Sequence, residues 1–281
     1  MSPPRSLVGL IGANIMSSLS PALHEDAFAA AGIRGHYHLM DLDRLPGRRL
    51  EHLLEAVKVA GFDGINVTFP CKEAVIALLD AMSAEAQQIG AVNTVTICAN
   101  GRTVGYNTDR IGFCRNFEDG LGRASVEGRT AVLVGAGGAG RAVAFALMDL
   151  GAATVLVHDR DGARATSLVT DLMLHCGAAR VRRAGSLDEA VAGAAGLVNA
   201  TPVGMAGLPG NPVPLELLRA DLWVADVIYT PIETALGGGM CVHQAAEAFR
   251  LFTGLQPDLE RMHSTFDKSL AARDAKPAPG V

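Results

Sequence analysis

The run Thr130-Ala131-Val132-Leu133-Val134-Gly135-Ala136-Gly137-Gly138-Ala139-Gly140-Arg141 decides how this chain folds. Its apolar residues Ala131 to Val134 predict a buried strand, the glycines a tight turn, and the residues beyond them the start of a helix. Gly135, Gly137 and Gly140 stand at GxGxxG spacing. In that pattern the first glycine permits the turn, the second lets a pyrophosphate approach the backbone, and the third lets helix and strand pack closely. Phosphates would then rest on the helix N-terminus, at Gly138 and Ala139, where N–H groups and the dipole favour anions. A glycine turn can also serve packing alone. Here a strand before, a helix after and an acid at Asp159 point to a dinucleotide site.

Asp159 follows the next predicted strand, Thr154–His158, and lies 24 positions beyond Gly135. An acid there hydrogen-bonds the adenosine ribose and repels a 2′-phosphate. Arg160 and Arg164 pull the other way, since guanidinium groups could receive that phosphate, while Asp161 weakens their case. The expected cofactor is NAD, with NADP kept open.

Composition sets the surroundings. A chain of 281 residues, 49% hydrophobic and 19% charged, fits a soluble α/β protein of one or two domains. A net charge of −5 without a basic block argues against nucleic-acid or acidic-membrane partners. Cys71, Cys98, Cys114, Cys176 and Cys241 are scattered, with neither a CxxC pair nor metal spacing, so a reducing compartment and no metal site are expected. No signal-like segment precedes the strand pattern at Leu7–Ile11, and no apolar run reaches the ~18 residues of a membrane helix. The expected location is the cytoplasm, and the expected state a monomer or homodimer.

Strand and helix patterns alternate on both sides of the glycine run. Before it come strands at Ser6–Ile11, Tyr37–Asp41 and Gly64–Val67, with helices at Pro21–Ala31, Pro46–Ala60 and Pro70 to about Leu79. Val92–Cys98 and Arg102–Tyr106 flank Ala-Asn-Gly as a hairpin, and a helix opens near Thr108. After the glycines come strands near Leu197–Asn199 and Trp223–Val227, then helices at Val242–Phe252 and Pro257–Leu270. The fold class is therefore α/β with two domains. Residues 1–108 are expected to form one unit and 109–241 a second, dinucleotide-binding one. Residues 242–270 are expected to be helices, free to return to the first unit, and 271–281 a disordered tail.

Several residues carry candidate chemistry. Pro70 is placed to open a helix, which puts Lys72 in its first turn, where the dipole disfavours a cation and suits it to proton transfer. A solvated lysine paired with Glu73 is the plainer alternative. Asp109 stands at another helix start, where capping alone would explain it; paired with Lys72 across a cleft it would make an acid/base couple. Ser18 and Ser20 offer two hydroxyls on one side of an extended chain, suited to one carboxylate, although Ser20 before Pro21 also reads as an N-cap. Asn93 is either a hydroxyl-binding residue or a polar strand residue. His24, His36, His38 and His158 lack metal spacing, and His243 is an acid/base candidate by residue type alone.

Taken together these segments resemble the shikimate/quinate dehydrogenase family over nearly the whole chain. The matching pieces are Ser18-Leu19-Ser20-Pro21, Asn66-Val67-Thr68-Phe69-Pro70-Cys71-Lys72, Gly90-Ala91-Val92-Asn93-Thr94, Gly105-Tyr106-Asn107-Thr108-Asp109 and the Gly135–Gly140 loop. They continue through Asn199-Ala200-Thr201-Pro202-Val203-Gly204-Met205, Asp226-Val227-Ile228-Tyr229-Thr230-Pro231, and Met240 with Gln244. The resemblance implies a Rossmann domain and Lys72 with Asp109 as the catalytic pair. It implies Ser18 and Ser20 at the substrate carboxylate, and Thr68, Asn93, Asp109, Tyr229 and Gln244 around the ring hydroxyls and carboxylate. Thr201, Val203 and Met205 would approach the nicotinamide. It further implies hydride transfer between NAD or NADP and the C3 hydroxyl of shikimate, quinate or an amino analogue. Asp159 and Asp161, where NADP-using members carry Asn and Thr, resemble the NAD-using branch. A folate-linked methylene dehydrogenase would share the layout but not the Ser18-x-Ser20-Pro21 and Asn66-to-Lys72 segments. A nucleotide-sensing module would bind NAD(H) without turnover.

One interval departs from that family. Between Thr234 and Met240 lie five residues, too few for the helical crossover of about a dozen residues that would complete the dinucleotide unit. The expectation is an omitted segment, with a chain break near Leu236/Gly237; a true deletion is the alternative.

Overall fold

The computed structural model describes residues 3–205, 208–228 and 235–274. Its strands are β1 (Arg5–Gly12), β2 (Arg34–Asp41), β3 (Gly64–Val67), β4 (Ala81–Met82), β5 (Thr94–Ile97), β6 (Thr103–Tyr106), β7 (Thr130–Val134), β8 (Thr154–His158), β9 (Val181–Arg183), β10 (Gly196–Asn199) and β11 (Trp223–Asp226). Its helices are α1 (Ser20–Ala30), α2 (Leu50–Val59), α3 (Ala84–Ile89), α4 (Asp109–Gly120), α5 (Gly138–Asp149), α6 (Gly162–Cys176), α7 (Leu187–Ala192), α8 (Ala235–Thr253) and α9 (Leu259–Asp274). They form two compact units. One comprises Met1–Ser83, Val92–Thr108 and Gln244–Val281, the other Ala84–Ala91 and Asp109–His243.

The first unit holds a six-stranded sheet in the order β2-β1-β3-β5-β6-β4. β1 runs parallel to β2 and β3, while β5 is antiparallel to both β3 and β6. The carboxyl ends of β1, β3 and β6 and the start of β5 therefore lie along one edge. Helix α1 covers β2, and α9 is tied to α1 by the Arg261 guanidinium, which grips both Asp26 oxygens at 2.7 Å.

His24 of α1 is buried here, its ring stacked on Tyr37 at 4.7 Å and tilted against Phe252 at 5.9 Å. Its Nδ1 has no hydrogen-bond partner, and burial pushes its pKa down to about 3. The folded chain therefore keeps this ring neutral, whereas the unfolded chain protonates it below about pH 6.5. The stability this contributes is complete above pH 6.5 and is lost as the pH falls towards 3, at up to about 1.4 kcal/mol per pH unit. His24→Phe should flatten that slope, seen as a smaller shift in urea midpoint between pH 7 and pH 4.5. Equal shifts in both proteins would remove His24 as the cause.

The second unit holds a five-stranded, all-parallel sheet in the order β9-β8-β7-β10-β11. The chain starts at the central strand, moves outward one way and then the other, and leaves a switch point beside β7. Alternate residues of β7 serve opposite faces. Ala131 and Leu133 join Phe113, Phe145, Leu147 and Leu168 in one buried cluster, while Val132 and Val134 join Val191, Leu197 and Val213 in the other. A strand buried on both faces reads as an unbroken apolar run, which is why this one stood out in the sequence.

Four expectations need correction. No α-helix begins at Pro70: the chain turns at Phe69–Pro70, and a five-residue 3-10 helix follows only at Ala74–Leu78. The helix expected from Pro46 begins at Leu50. The tail expected to be disordered from Ala271 is helical to Asp274, and the residues after that lie outside the described ones. Finally, α8 runs without interruption from Ala235 to Thr253, so there is no break at Leu236/Gly237. Residues 229–234, between β11 and α8, lie outside the described ones. Among the described residues no helix is long and apolar enough to cross a membrane.

Candidate active site

Within the first unit the expected substrate residues gather at the edge where β1, β3 and β6 end. After β1, Asp41 at the end of β2 draws in the loop by accepting from Asn14 N at 3.1 Å and Ile15 N at 3.0 Å. That loop delivers Ser18 and Ser20, whose hydroxyl oxygens stand 3.2 Å apart. Ser20 is the first residue of α1, and the cap position falls to Leu19, which makes no side-chain capping bond. The N-cap reading therefore fails, because Leu19, the residue before α1, already has helical backbone angles. The juxtaposed hydroxyl pair remains.

Beyond β3, Thr68 N donates to Ile11 O at 2.9 Å, fastening the start of the Thr68–Lys72 turn to the end of β1. Cys71 N donates back to Thr68 O at 2.8 Å, so the chain doubles over and presents Lys72 half-buried. Val92 N donates to Lys72 O at 2.8 Å, which sets the lysine backbone beside the segment carrying Asn93. With no α-helix opening at Pro70, the dipole argument for Lys72 lapses, and its case rests on this placement.

Asn93 is 3% exposed and held on both sides of its amide. Its Oδ1 accepts from Thr108 N at 2.8 Å and from Thr94 Oγ1 at 3.0 Å, while its Nδ2 donates to Thr108 Oγ1 at 2.9 Å. Behind it, Asn66 donates from Nδ2 to Thr94 Oγ1 and accepts from the Tyr37 hydroxyl at 2.8 Å. Thr108 Oγ1 also reaches Gln244 Oε1, at 3.5 Å, on α8. Asp41, Tyr37, Thr94 and Thr108 received no role from sequence. Polar residues in short strands look alike whether they face solvent or a buried network. Asp109, buried at the first position of α4, belongs to the second unit, whereas Lys72 belongs to the first. Tyr229 lies outside the described residues.

In the second unit the glycine run forms the connection from β7 to α5. Gly135 has φ +103°, and a Cβ there would come within 2.8 Å of the Ala200 carbonyl. A Cβ on Gly140 would come within 2.0 Å of Gly135 O, so strand, turn and helix can meet only around glycine. At Gly137, which caps α5, a Cβ would meet nothing closer than Arg164 Nη2 at 3.5 Å. The loop face at Gly137 is thus unobstructed beside a helix N-terminus with a guanidinium nearby, and it fits a dinucleotide pyrophosphate. Asp159 accepts from Ala136 N through Oδ2 at 2.7 Å and from Asp161 N through Oδ1 at 2.8 Å, fixing its carboxylate against the loop. Asp161 caps α6 by accepting from Ala163 N at 2.9 Å, and Arg160 is exposed. Across the sheet, Asn199 ties Asp226 to the loop bearing Thr201, Val203 and Met205. It donates to Asp226 Oδ2 at 3.1 Å and to Val203 O at 3.3 Å, and accepts from Thr201 Oγ1 at 2.7 Å. His243 is buried, with Nε2 at 3.1 Å from Asp119. Among the described residues no three His, Cys, Asp or Glu side chains gather as a metal site.

Comparison with known proteins agrees with the two-unit α/β fold. Residues 10–95 match the model of the shikimate dehydrogenase substrate binding domain, and residues 237–265 match that of the shikimate 5′-dehydrogenase C-terminal domain. The second match takes in Gln244 and begins within the short interval. The shikimate dehydrogenase (NADP(+)) of Streptomyces avermitilis is 47% identical, with 93% of this chain and 95% of the relative covered. The quinate/shikimate dehydrogenase (NAD(+)) of Corynebacterium efficiens is 46% identical, with 92% and 97% covered. The solved structure of quinate dehydrogenase from Corynebacterium glutamicum in complex with NAD superposes with a TM-score of 0.83, at 42% identity, covering 94% of this chain and 99% of that one.

Proposed function

The chain belongs to the shikimate dehydrogenase family, and from that premise we propose that Lys72 and Asp109 carry its reaction and that NAD is its preferred cofactor. It is an NAD(P)-dependent oxidoreductase acting on a ring alcohol of shikimate or quinate. The observation that carries the assignment of residues is the gathering of Ser18, Ser20, Thr68, Lys72 and Asn93 along one sheet edge.

The nicotinamide, when bound, supplies the hydride chemistry. The chain supplies position and charge. Ser18 and Ser20 donate to the substrate carboxylate, and Thr68, Asn93 and Gln244 hold the ring hydroxyls, with Tyr229 added from the family pattern. Lys72 handles the hydroxyl proton and stabilises the developing alkoxide, with Asp109 orienting its ammonium. Gly135, Gly137, Gly138, Ala139 and Gly140 receive the pyrophosphate, and Thr201, Val203 and Met205 line the nicotinamide side. Residues 1–108 with the C-terminal helices serve the substrate, and the intervening unit serves the dinucleotide.

For the cofactor, Asp159 weighs most. Its carboxylate is held at the end of β8 against the glycine loop, where it can accept from ribose hydroxyls and repel a 2′-phosphate. Arg164, close to Gly137, supports NADP as the second reading. Steady-state assays crossing shikimate and quinate with NAD and NADP test both points. NAD should give at least about tenfold higher kcat/KM with either acid, and Asp159→Asn should narrow that ratio by about tenfold. A wild-type preference for NADP would reject NAD, and turnover of neither acid with either cofactor would overturn the whole reading.

A further inference from the structure

We infer that a one-way chain of buried hydrogen bonds, running from Tyr37 to Gln244, sets which end of the Asn93 and Gln244 amides faces the substrate. This rests on the reading above, in which those two side chains hold the ring hydroxyls. The links are Tyr37 O–H to Asn66 Oδ1 (2.8 Å), Asn66 Nδ2 to Thr94 Oγ1 (3.0 Å) and Thr94 O–H to Asn93 Oδ1 (3.0 Å). They continue with Asn93 Nδ2 to Thr108 Oγ1 (2.9 Å) and Thr108 O–H to Gln244 Oε1 (3.5 Å).

An amide can turn over and a hydroxyl can rotate, so such a chain needs something to fix its direction. Two backbone groups provide it. The Asn93 carbonyl can only accept, and it stands 3.2 Å from Asn66 Nδ2; a reversed Asn66 would set carbonyl against carbonyl. The Thr108 N–H can only donate, and it stands 2.8 Å from Asn93 Oδ1; a reversed Asn93 would set N–H against NH2. Between these fixed points Thr94 accepts from Asn66 and gives its proton to Asn93 Oδ1 at 3.0 Å, nearer than Thr108 Oγ1 at 3.5 Å. Thr108 likewise accepts from Asn93 Nδ2, and its proton has two outlets at 3.5 Å, Thr94 Oγ1 and Gln244 Oε1, of which the second carries the chain onward. Donating back to Oδ1 of the same amide, at 3.3 Å, would fold the bond onto the group it accepts from.

Every link points the same way, so each polarises the next. The outcome for function is an orientation: Gln244 turns its oxygen to Thr108 and its NH2 end away. Donors of that kind suit the oxygen lone pairs of ring hydroxyls. Thr108, covalently next to Asp109, acts here as a positioning residue.

Thr108→Val keeps the shape and removes the relay. With shikimate and NAD it should raise the KM for the acid about tenfold, change kcat by less than about threefold, and leave the KM for NAD unaltered. Thr108→Ser, which retains the hydroxyl, should return to within about twofold of wild type. Because Thr108 acts through Gln244, adding Thr108→Val to Gln244→Ala should make the acid's KM no worse than Gln244→Ala alone. Multiplying effects in the double variant, or no KM change in Thr108→Val while Gln244→Ala raises it, would overturn the chain. An unaltered KM in Gln244→Ala would instead overturn Gln244 as a substrate contact, and the inference with it. If Thr108→Val does not fold, Thr108→Ala removes the same hydroxyl in a smaller side chain and is judged by the same criteria.

Discussion

Replacing Lys72 by alanine should lower kcat about a thousandfold while leaving the dissociation constant for NAD within about threefold of wild type. The size follows from removing both the group that exchanges the hydroxyl proton and the charge that steadies the alkoxide. The selectivity follows from where the residue sits: Lys72 belongs to the first unit, and the glycine loop and Asp159 to the second. Folding should be little affected, because the Val92 N bond to the Lys72 carbonyl survives and the side chain is only half-buried. Lys72→Arg separates the two contributions. An arginine keeps the positive charge but does not release its proton near neutral pH, so it should remain at least about a hundredfold below wild type. Arginine restoring most of the rate would leave Lys72 a purely electrostatic role. An unchanged kcat in Lys72→Ala would remove it from the chemistry altogether.

The parts of this architecture that could be read in advance are those where local chemistry is decisive. The β7 strand and its glycines announced themselves because a doubly buried strand and a crowded turn each demand particular residues in consecutive positions. The Asn199-to-Met205 and Asp226 segments stood out through family resemblance, and the Asn199–Asp226 bond that joins them appears only in three dimensions. Short elements escaped. α3, α7, β4 and β9 run to six residues or fewer, too short for either helical or strand periodicity to register. Pro70 misled because a proline suits both a helix start and a tight turn, and contacts of the Thr68–Lys72 turn with β1 decided for the turn. The chain from Tyr37 to Gln244 was out of reach altogether. Its partners lie 29, 28, 1, 15 and 136 positions apart, and the fold alone brings them together.

The glycine loop supports the other large effect, and two of its positions should fail in different ways. Gly140→Ala places a Cβ about 2.0 Å from Gly135 O, and neither atom belongs to a flexible side chain that could move aside. Helix α5 must then lift from the β7 turn, at a cost of about 3 kcal/mol or more. That should lower Tm by about 5 °C or more in a chain of this size. It should also weaken NAD binding at least tenfold, because the displaced helix N-terminus carries the phosphate donors. Gly137→Ala meets only the far end of Arg164, at 3.5 Å, and needs no unusual backbone angle, so its Tm should stay within about 2 °C of wild type. Its methyl group would nevertheless stand where the pyrophosphate must approach, and NAD affinity should again fall at least tenfold. Thermal melts with and without NAD separate the two cases. A melt for Gly140→Ala indistinguishable from wild type would show that α5 does not need its close contact with the turn. Undiminished NAD affinity in Gly137→Ala would move the pyrophosphate away from this loop.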